Sequence, residues 1–142
     1  MVYFEHADLD EMGPFLKSLP TTLVFDHMAC PDVKEGVNGK HFQDWLKALD
    51  ANKTWITKVT CPERLSLKGP PYDDVVPFAR MVVEQFPNRV LWGTDWPHPN
   101  LKGHMPDDGL LVDFIPHIAT TPELQRKLLV DNPMRLYWPA QS

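Results

Sequence analysis

Cysteine is scarce in this chain: Cys30 and Cys61 stand alone among 142 residues, so no disulfide framework is available, and a reducing, cytoplasmic setting is expected. No apolar run approaches the length needed to cross a membrane. The opening residues, Met1-Val2-Tyr3-Phe4-Glu5-His6, carry no basic segment followed by an apolar one, so no secretory signal is expected. Basic residues number 14 against 19 acidic ones, for a net charge of -5, and they form no cluster able to neutralise phosphates. A nucleic-acid surface is therefore not expected. No glycine-rich turn follows the first candidate strand, which removes the dinucleotide-binding fingerprint. Internal sequence repeats and low-complexity tracts are also lacking, since the 15 prolines fall singly or in pairs between periodic segments. What remains is 43% hydrophobic and long enough for one cored domain over residues 1–142, but too short for two.

The periodic segments alternate between strand and helix. Val2–Glu5 reads as a strand, and Asp8 as the cap of a helix to about Ser18 in which Gly13-Pro14 should introduce a kink. Thr21–Phe25 is a second strand that breaks at Asp26-His27 into a loop to Gly39. From Lys40 to Leu49, the helical spacing of Phe42, Trp45, Leu46 and Leu49 predicts one apolar stripe facing a sheet. Trp55–Thr60 is a third strand, followed by a loop closed at Gly69-Pro70-Pro71 and a helix to Phe86, with Pro77 near its first turn. The fourth strand begins at Arg89-Val90-Leu91-Trp92. Pro97 and Pro99 lack the amides a ladder needs, so the chain should leave the sheet at about Asp95. A short helix over 110–118 and a last helix started by Thr120-Thr121-Pro122-Glu123 follow, the latter turning Leu124, Leu128 and Leu129 inward and ending at Asn132-Pro133.

Strands separated by helices pair in parallel through right-handed crossovers. Tyr3, His27, Arg64 and Asp95 each fall at the C-terminal end of a strand, the face on which barrel enzymes carry their chemistry. That favours an α/β chain of four β/α units, half of a (β/α)8 TIM barrel, over an open doubly wound sheet. Each residue also has a plainer explanation. Asp95 can be a turn residue, Asp26-His27 a local hydrogen-bonded pair, Arg64 a surface partner of Glu63, and Tyr3 a core-edge aromatic. His6, His41, His104 and His117 lack partners at ligand spacing and are expected to be solvated; the two cysteines follow neighbouring strands, close enough in the fold to allow an approach near the site, and are expected to be free thiols.

Five segments carry a family resemblance over essentially the whole chain. They are Tyr3-Phe4-Glu5, Phe25-Asp26-His27-Met28, Glu63-Arg64-Leu65-Ser66 with Gly69-Pro70-Pro71-Tyr72, Trp92-Gly93-Thr94-Asp95-Trp96-Pro97-His98-Pro99-Asn100, and Asp131-Asn132-Pro133-Met134-Arg135-Leu136-Tyr137. With them the sequence resembles the C-terminal half of the amidohydrolase-related family of 2-pyrone-4,6-dicarboxylate lactonase type. The resemblance makes these strands the fifth to eighth of a barrel and implies a hydrolase of aromatic-compound breakdown that opens a carboxylated lactone. Asp95 would take a proton from the attacking water and return it to the leaving enolate oxygen. His27 would hydrogen-bond the carbonyl oxygen as charge develops. Arg64 would grip a substrate carboxylate, Tyr3 would donate a hydrogen bond to the substrate, and His98 would line the same mouth.

The departure from that family is large. The first four strands are missing, with the serine and further arginines of the pocket and the His-x-His pair through which many amidohydrolases bind zinc. His27 and Asp95 are too few ligands for a catalytic zinc site, so no metal and no other cofactor is expected. The expected partner is a small anionic cyclic ester. A half barrel would leave unpaired strand edges, which predicts either a fragment of a longer enzyme or a homodimer closing an eight-stranded ring. A metal-dependent amidohydrolase or sugar lactonase, and a catalytically silent half-barrel binding or assembly module, are the alternative readings.

Overall fold

The computed structural model describes residues 1–103 and 105–140; the expectation for His104 lies outside them. Its sheet is parallel, in the order β1 (Leu23–Phe25), β2 (Trp55–Lys58), β3 (Val90–Leu91). Leu23 faces Trp55 and Phe25 faces Thr57 in one register, while Thr57 faces Val90 in the next. Val2 adds a fourth parallel position by a single bridge to Phe25, made by Val2 N–H to Val24 O (2.8 Å) and Asp26 N–H to Val2 O (2.9 Å). The expected strand Val2–Glu5 is thus reduced to one residue, because β1 ends at Phe25 and leaves nothing beyond it to pair with. The architecture is a half barrel of four β/α units.

Between these strands run α1 (Leu9–Ser18), α2 (Lys40–Ala51), the single turn α3 (Pro62–Leu65) and α4 (Val76–Gln85). After β3 come α5 (Asp108–Asp113), α6 (Ile115–Ile118), α7 (Pro122–Arg126), a π turn over Lys127–Asp131, and α8 (Asn132–Tyr137). Helix α4 starts later than expected. Pro70 and Pro71, followed by Tyr72 at φ 66°, hold the chain out of helical geometry until Val75. The segment expected as one helix over 110–118 divides at Phe114, since Pro116 has no amide to continue the ladder. At the C-terminal end the reverse holds: the chain does not stop at Asn132-Pro133 but widens into a π turn that absorbs the missing amide, then continues as α8. Leu128 is fully buried there, whereas Leu129, expected inward, is exposed.

The core lies between the sheet and α2 and α4. Trp45 from α2 packs edge-on to Phe25 of β1 at 4.9 Å, and Phe25 meets Trp55 of β2 at 4.7 Å. Phe42 reaches across to Phe78 of α4 at 4.9 Å. The stripe Phe42, Trp45, Leu46 and Leu49 is buried as its spacing requires. Asn132 fastens β3 to the last helix: its buried side-chain amide donates to Pro87 O and Val90 O, both at 2.8 Å. Arg135, one helical turn on, donates to Asn88 O and to Asn132 Oδ1.

Candidate active site

The strand tips turn sharply, and the turns aim the side chains. Directly after β1, His27, Met28, Ala29 and Cys30 all have positive φ, and after β2 and β3 the same is true of Cys61 (φ 65°) and Asp95 (φ 65°). Left-handed backbone costs a residue with a Cβ on the order of 1 kcal/mol, and it recurs here at the positions that carry polar chemistry. These turns end the ladders early, which is why β3 pairs only over Val90–Leu91 and Trp92 to Asp95 continue without sheet partners among the described residues. With Arg64 supplied by the short α3, the turns bring His27, Cys61, Arg64 and Asp95 together.

His27 is buried, and its Nδ1 lies 2.6 Å from the Thr60 hydroxyl. Burial pushes its pKa down, with the opposing pull of Asp95 insufficient to restore it, so the ring is neutral near pH 7. A Thr60 hydroxyl donating to Nδ1 leaves the ring proton on Nε2, which faces Asp95 Oδ1 at 3.6 Å, beyond a hydrogen bond. The other Asp95 oxygen, Oδ2, receives Arg64 Nη2 at 3.3 Å and the Cys61 thiol at 3.4 Å. Arg64 also donates from Nε to Cys61 Sγ at 2.6 Å. Asp26 pairs with Lys58 at 2.7 Å, so the local Asp26-His27 pair does not form, and Arg64 turns to Asp95 and not to Glu63.

Beside this group is a cavity of about 190 Å³ lined by Tyr3, Glu5, His27, Cys30, Cys61, Arg64 and Leu65. Tyr3 is largely exposed at its rim, its ring set edge-on to His27 at 6.0 Å. Both cysteines are free and line the cavity, and burial pushes both thiols up, so neither supplies a thiolate nucleophile near pH 7. His98 is not brought to it. Its ring is buried between Glu63 Oε1 (3.2 Å from Nδ1) and Asp108 Oδ1 (3.1 Å from Nε2), where it ties α3 to the start of α5. Cys61 lines the cavity, as expected of a thiol near the site, whereas Thr60 and Glu63 are additions of the structure; the signal that marks Thr60 is its place just past β2.

Ligand atoms of His27, Cys61 and Asp95 lie within 4.8 Å of one another, so the donor set widens by a cysteine beyond the two residues weighed from sequence. Their chemistry does not suit a cation, however. The Arg64 guanidinium already occupies Cys61 Sγ and Asp95 Oδ2, burial keeps the thiol protonated, and Thr60 holds one His27 nitrogen. A divalent ion placed there would meet a fixed positive charge on two of its three ligands.

The chain belongs to the amidohydrolase family, whose sequence model matches residues 1–138. Over 99% of its length it is 62% identical to 2-pyrone-4,6-dicarboxylate hydrolase of Comamonas testosteroni, covering 49% of that protein. It is also 37% identical to 4-sulfomuconolactone hydrolase of Rhizobium radiobacter over 96% of the chain and 46% of the relative. Among solved structures, an Agrobacterium tumefaciens protein superimposes with a TM-score of 0.81 at 28% identity, over 96% of this chain and 48% of that one. A probable 2-pyrone-4,6-dicarboxylic acid hydrolase of Acinetobacter baumannii, crystallised with citric acid, shares the fold with a TM-score of 0.79 at 23% identity, over 94% of this chain and 50% of that one. The chain spans about half the length of the curated relatives it matches.

Proposed function

We propose that this chain carries the C-terminal half of a hydrolytic site that opens a carboxylated lactone of the 2-pyrone-4,6-dicarboxylate type. The observation that carries the reading is the convergence of Asp95, neutral His27 and Arg64 from the segments that follow three different strands, beside one small cavity. Asp95 removes a proton from water as its oxygen attacks the lactone carbonyl. The carbonyl π pair moves to oxygen, where the Nε2–H of His27 stabilises the negative charge by hydrogen bonding. Collapse breaks the ring C–O bond, and Asp95 returns its proton to the departing enolate oxygen. A substrate carboxylate competes with Asp95 for the Arg64 fork, which frees Oδ2 to accept the proton. Tyr3, at the rim, donates a hydrogen bond to the substrate. His98 acts from behind the site, holding α3, which carries Arg64.

The physical setting in this reading is the cytoplasm of a cell that degrades aromatic compounds. An anionic substrate and two free thiols fit it, and among the described residues no helix is long and apolar enough to cross a membrane. Assembly belongs to the same proposal. The outer edges of Val2 and β3 carry no strand partner among the described residues, and a second copy or a complementary half supplies the strands that close the ring. The test is loss of ultraviolet absorbance as the chain hydrolyses pyrone dicarboxylate. Asp95→Asn is expected to lower the rate by about 10²–10⁴-fold while leaving substrate binding in place. Turnover by Asp95→Asn equal to that of the parent chain would remove the assignment. Substrate binding without turnover in any oligomeric state would leave a silent binding module.

A further inference from the structure

His6 begins the short 3-10 turn His6–Asp8 and is 5% exposed, with both ring nitrogens shut off from solvent and neither making a hydrogen bond of good geometry, although the Cys30 backbone lies near enough to act weakly on the ring. An imidazole buried in that way has a lone pair and an N–H to satisfy. Its ring stands perpendicular to that of His41, the second residue of α2, at 5.4 Å. Glu35 completes the group, its carboxylate lying 2.9 Å and 3.1 Å from His41 Nδ1.

The chain is shaped to hold Glu35 there. Asp32 caps the turn Val33–Glu35 by accepting from Lys34 N–H at 2.9 Å, and Gly36 then reverses the chain at φ 70°. A side chain at Gly39 would place its Cβ 2.6 Å from Glu35 Cβ and 3.0 Å from Glu35 Oε2, so only glycine lets the carboxylate lie against the start of α2. One nitrogen or oxygen from each of His6, Glu35 and His41 lies within 4.8 Å of the other two, and none of the three lines the cavity at Tyr3.

We propose that His6, Glu35 and His41 form a second binding site, for a divalent transition-metal ion of the zinc class, remote in chemistry from the hydrolytic group. Two imidazoles and a carboxylate select a borderline-soft ion over magnesium or calcium, which prefer oxygen-only shells. Ligands at about 2.0–2.1 Å from a tetrahedral ion stand roughly 3.4 Å apart, so the 2.9 Å His41–Glu35 contact must open by roughly half an ångström and no ligand pair need close by more than about 1.4 Å. The outer ligands are placed to do so: the side chains of His41 and Glu35 are 42% and 34% exposed, which also opens a path for the ion from solvent. Bound there, the ion clips the segment before α1 and the Val33–Glu35 loop to the N-terminus of α2, and water takes its fourth position. This site is independent of the lactone reading.

The chelator-treated full chain is titrated with zinc against a chromophoric chelator, and with cobalt followed by its visible absorption. One equivalent is expected to bind with a Kd at or below about 1 μM, weakened at least tenfold or so by His41→Ala and by Glu35→Gln. Because His6→Ala removes a buried ring and can unfold the chain, the surface variants carry the test, and circular dichroism checks that they are folded. Asp95→Asn and Cys61→Ser are expected to bind as the parent does, and the zinc-dependent rise in Tm should vanish only in the His41 and Glu35 variants. Binding that survives His41→Ala, binding lost in Cys61→Ser, or no binding below about 100 μM would each overturn the proposal.

Discussion

Thr60 shows how much a single hydroxyl governs at this site. Its hydroxyl lies 2.6 Å from His27 Nδ1, and where it donates there the ring proton sits on Nε2, the tautomer that can stabilise a developing oxyanion. Thr60→Val is therefore expected to lower kcat with little change in KM, read by steady-state kinetics on the pyrone; an unchanged kcat would mean that Nδ1 finds another donor. Arg64→Met is expected to raise KM for a dicarboxylated lactone and leave a neutral sugar lactone untouched, because only the former offers an anion to the fork. Protonation follows the same residues. Burial pushes the pKa of both His6 and His27 down, so the unfolded chain, where histidine titrates near about 6.5, binds protons more readily than the folded one. The stability gained by keeping them neutral is complete above that value and is lost as the pH falls through it toward the lower folded pKa values. Urea midpoints with chelator present should accordingly drop between about pH 7.5 and pH 5.5, and a flat profile would contradict the burial argument.

Among the elements, α2 and α8 do most to position the strand tips. Trp45 is fully buried and its ring meets Phe4, Phe25 and Trp55, so Trp45→Ala should destabilise the chain by about 3–5 kcal/mol, measured by urea denaturation. The Asn132 amide closes two carbonyls at the start of β3. Asn132→Leu keeps the bulk but leaves those acceptors unpaired in a buried place, and a loss of about 2–4 kcal/mol is expected, from roughly 1–3 kcal/mol for each orphaned group. The motif Asn132-Pro133-Met134-Arg135 thus acts as a buckle on the strand that delivers Asp95, which explains a family signature so far from the cavity. His98 works at the same scale. Fixed between Glu63 and Asp108, it couples the Asp95 loop to α3, although its sequence neighbourhood suggested a place in the mouth.

For the whole molecule, the decisive feature is that, among the described residues, neither edge of the short parallel sheet has a further strand partner. In solution at tens of micromolar, light scattering is expected to give the mass of two chains or of a complex with a complementary half. A stable monomer would count against self-association as the way this half barrel closes. The net charge of -5 does not oppose pairing at physiological salt, where charges beyond about 8 Å are largely screened.

Local signals were enough to read the alternation of strands and helices and the buried stripe of α2, because each depends on side-chain period within a few residues; the exit from β3, expected at about Asp95, comes after Leu91, ahead of the prolines. The family motifs were likewise legible in the order of residues. The true ends of the strands were not, since left-handed turns at His27, Cys61 and Asp95 cut the ladders short and such turns have no strong signature when the residue is not glycine. Nor was the pairing of Thr60 with His27, the removal of His98 to a buried bridge, or the meeting of His6 with Glu35 and His41, all of which join residues from separate loops. Those contacts are set by the parallel register and by the crossing of helices over the sheet. Spacing along the chain carries no record of which distant side chains share a pocket; only packing in three dimensions decides it.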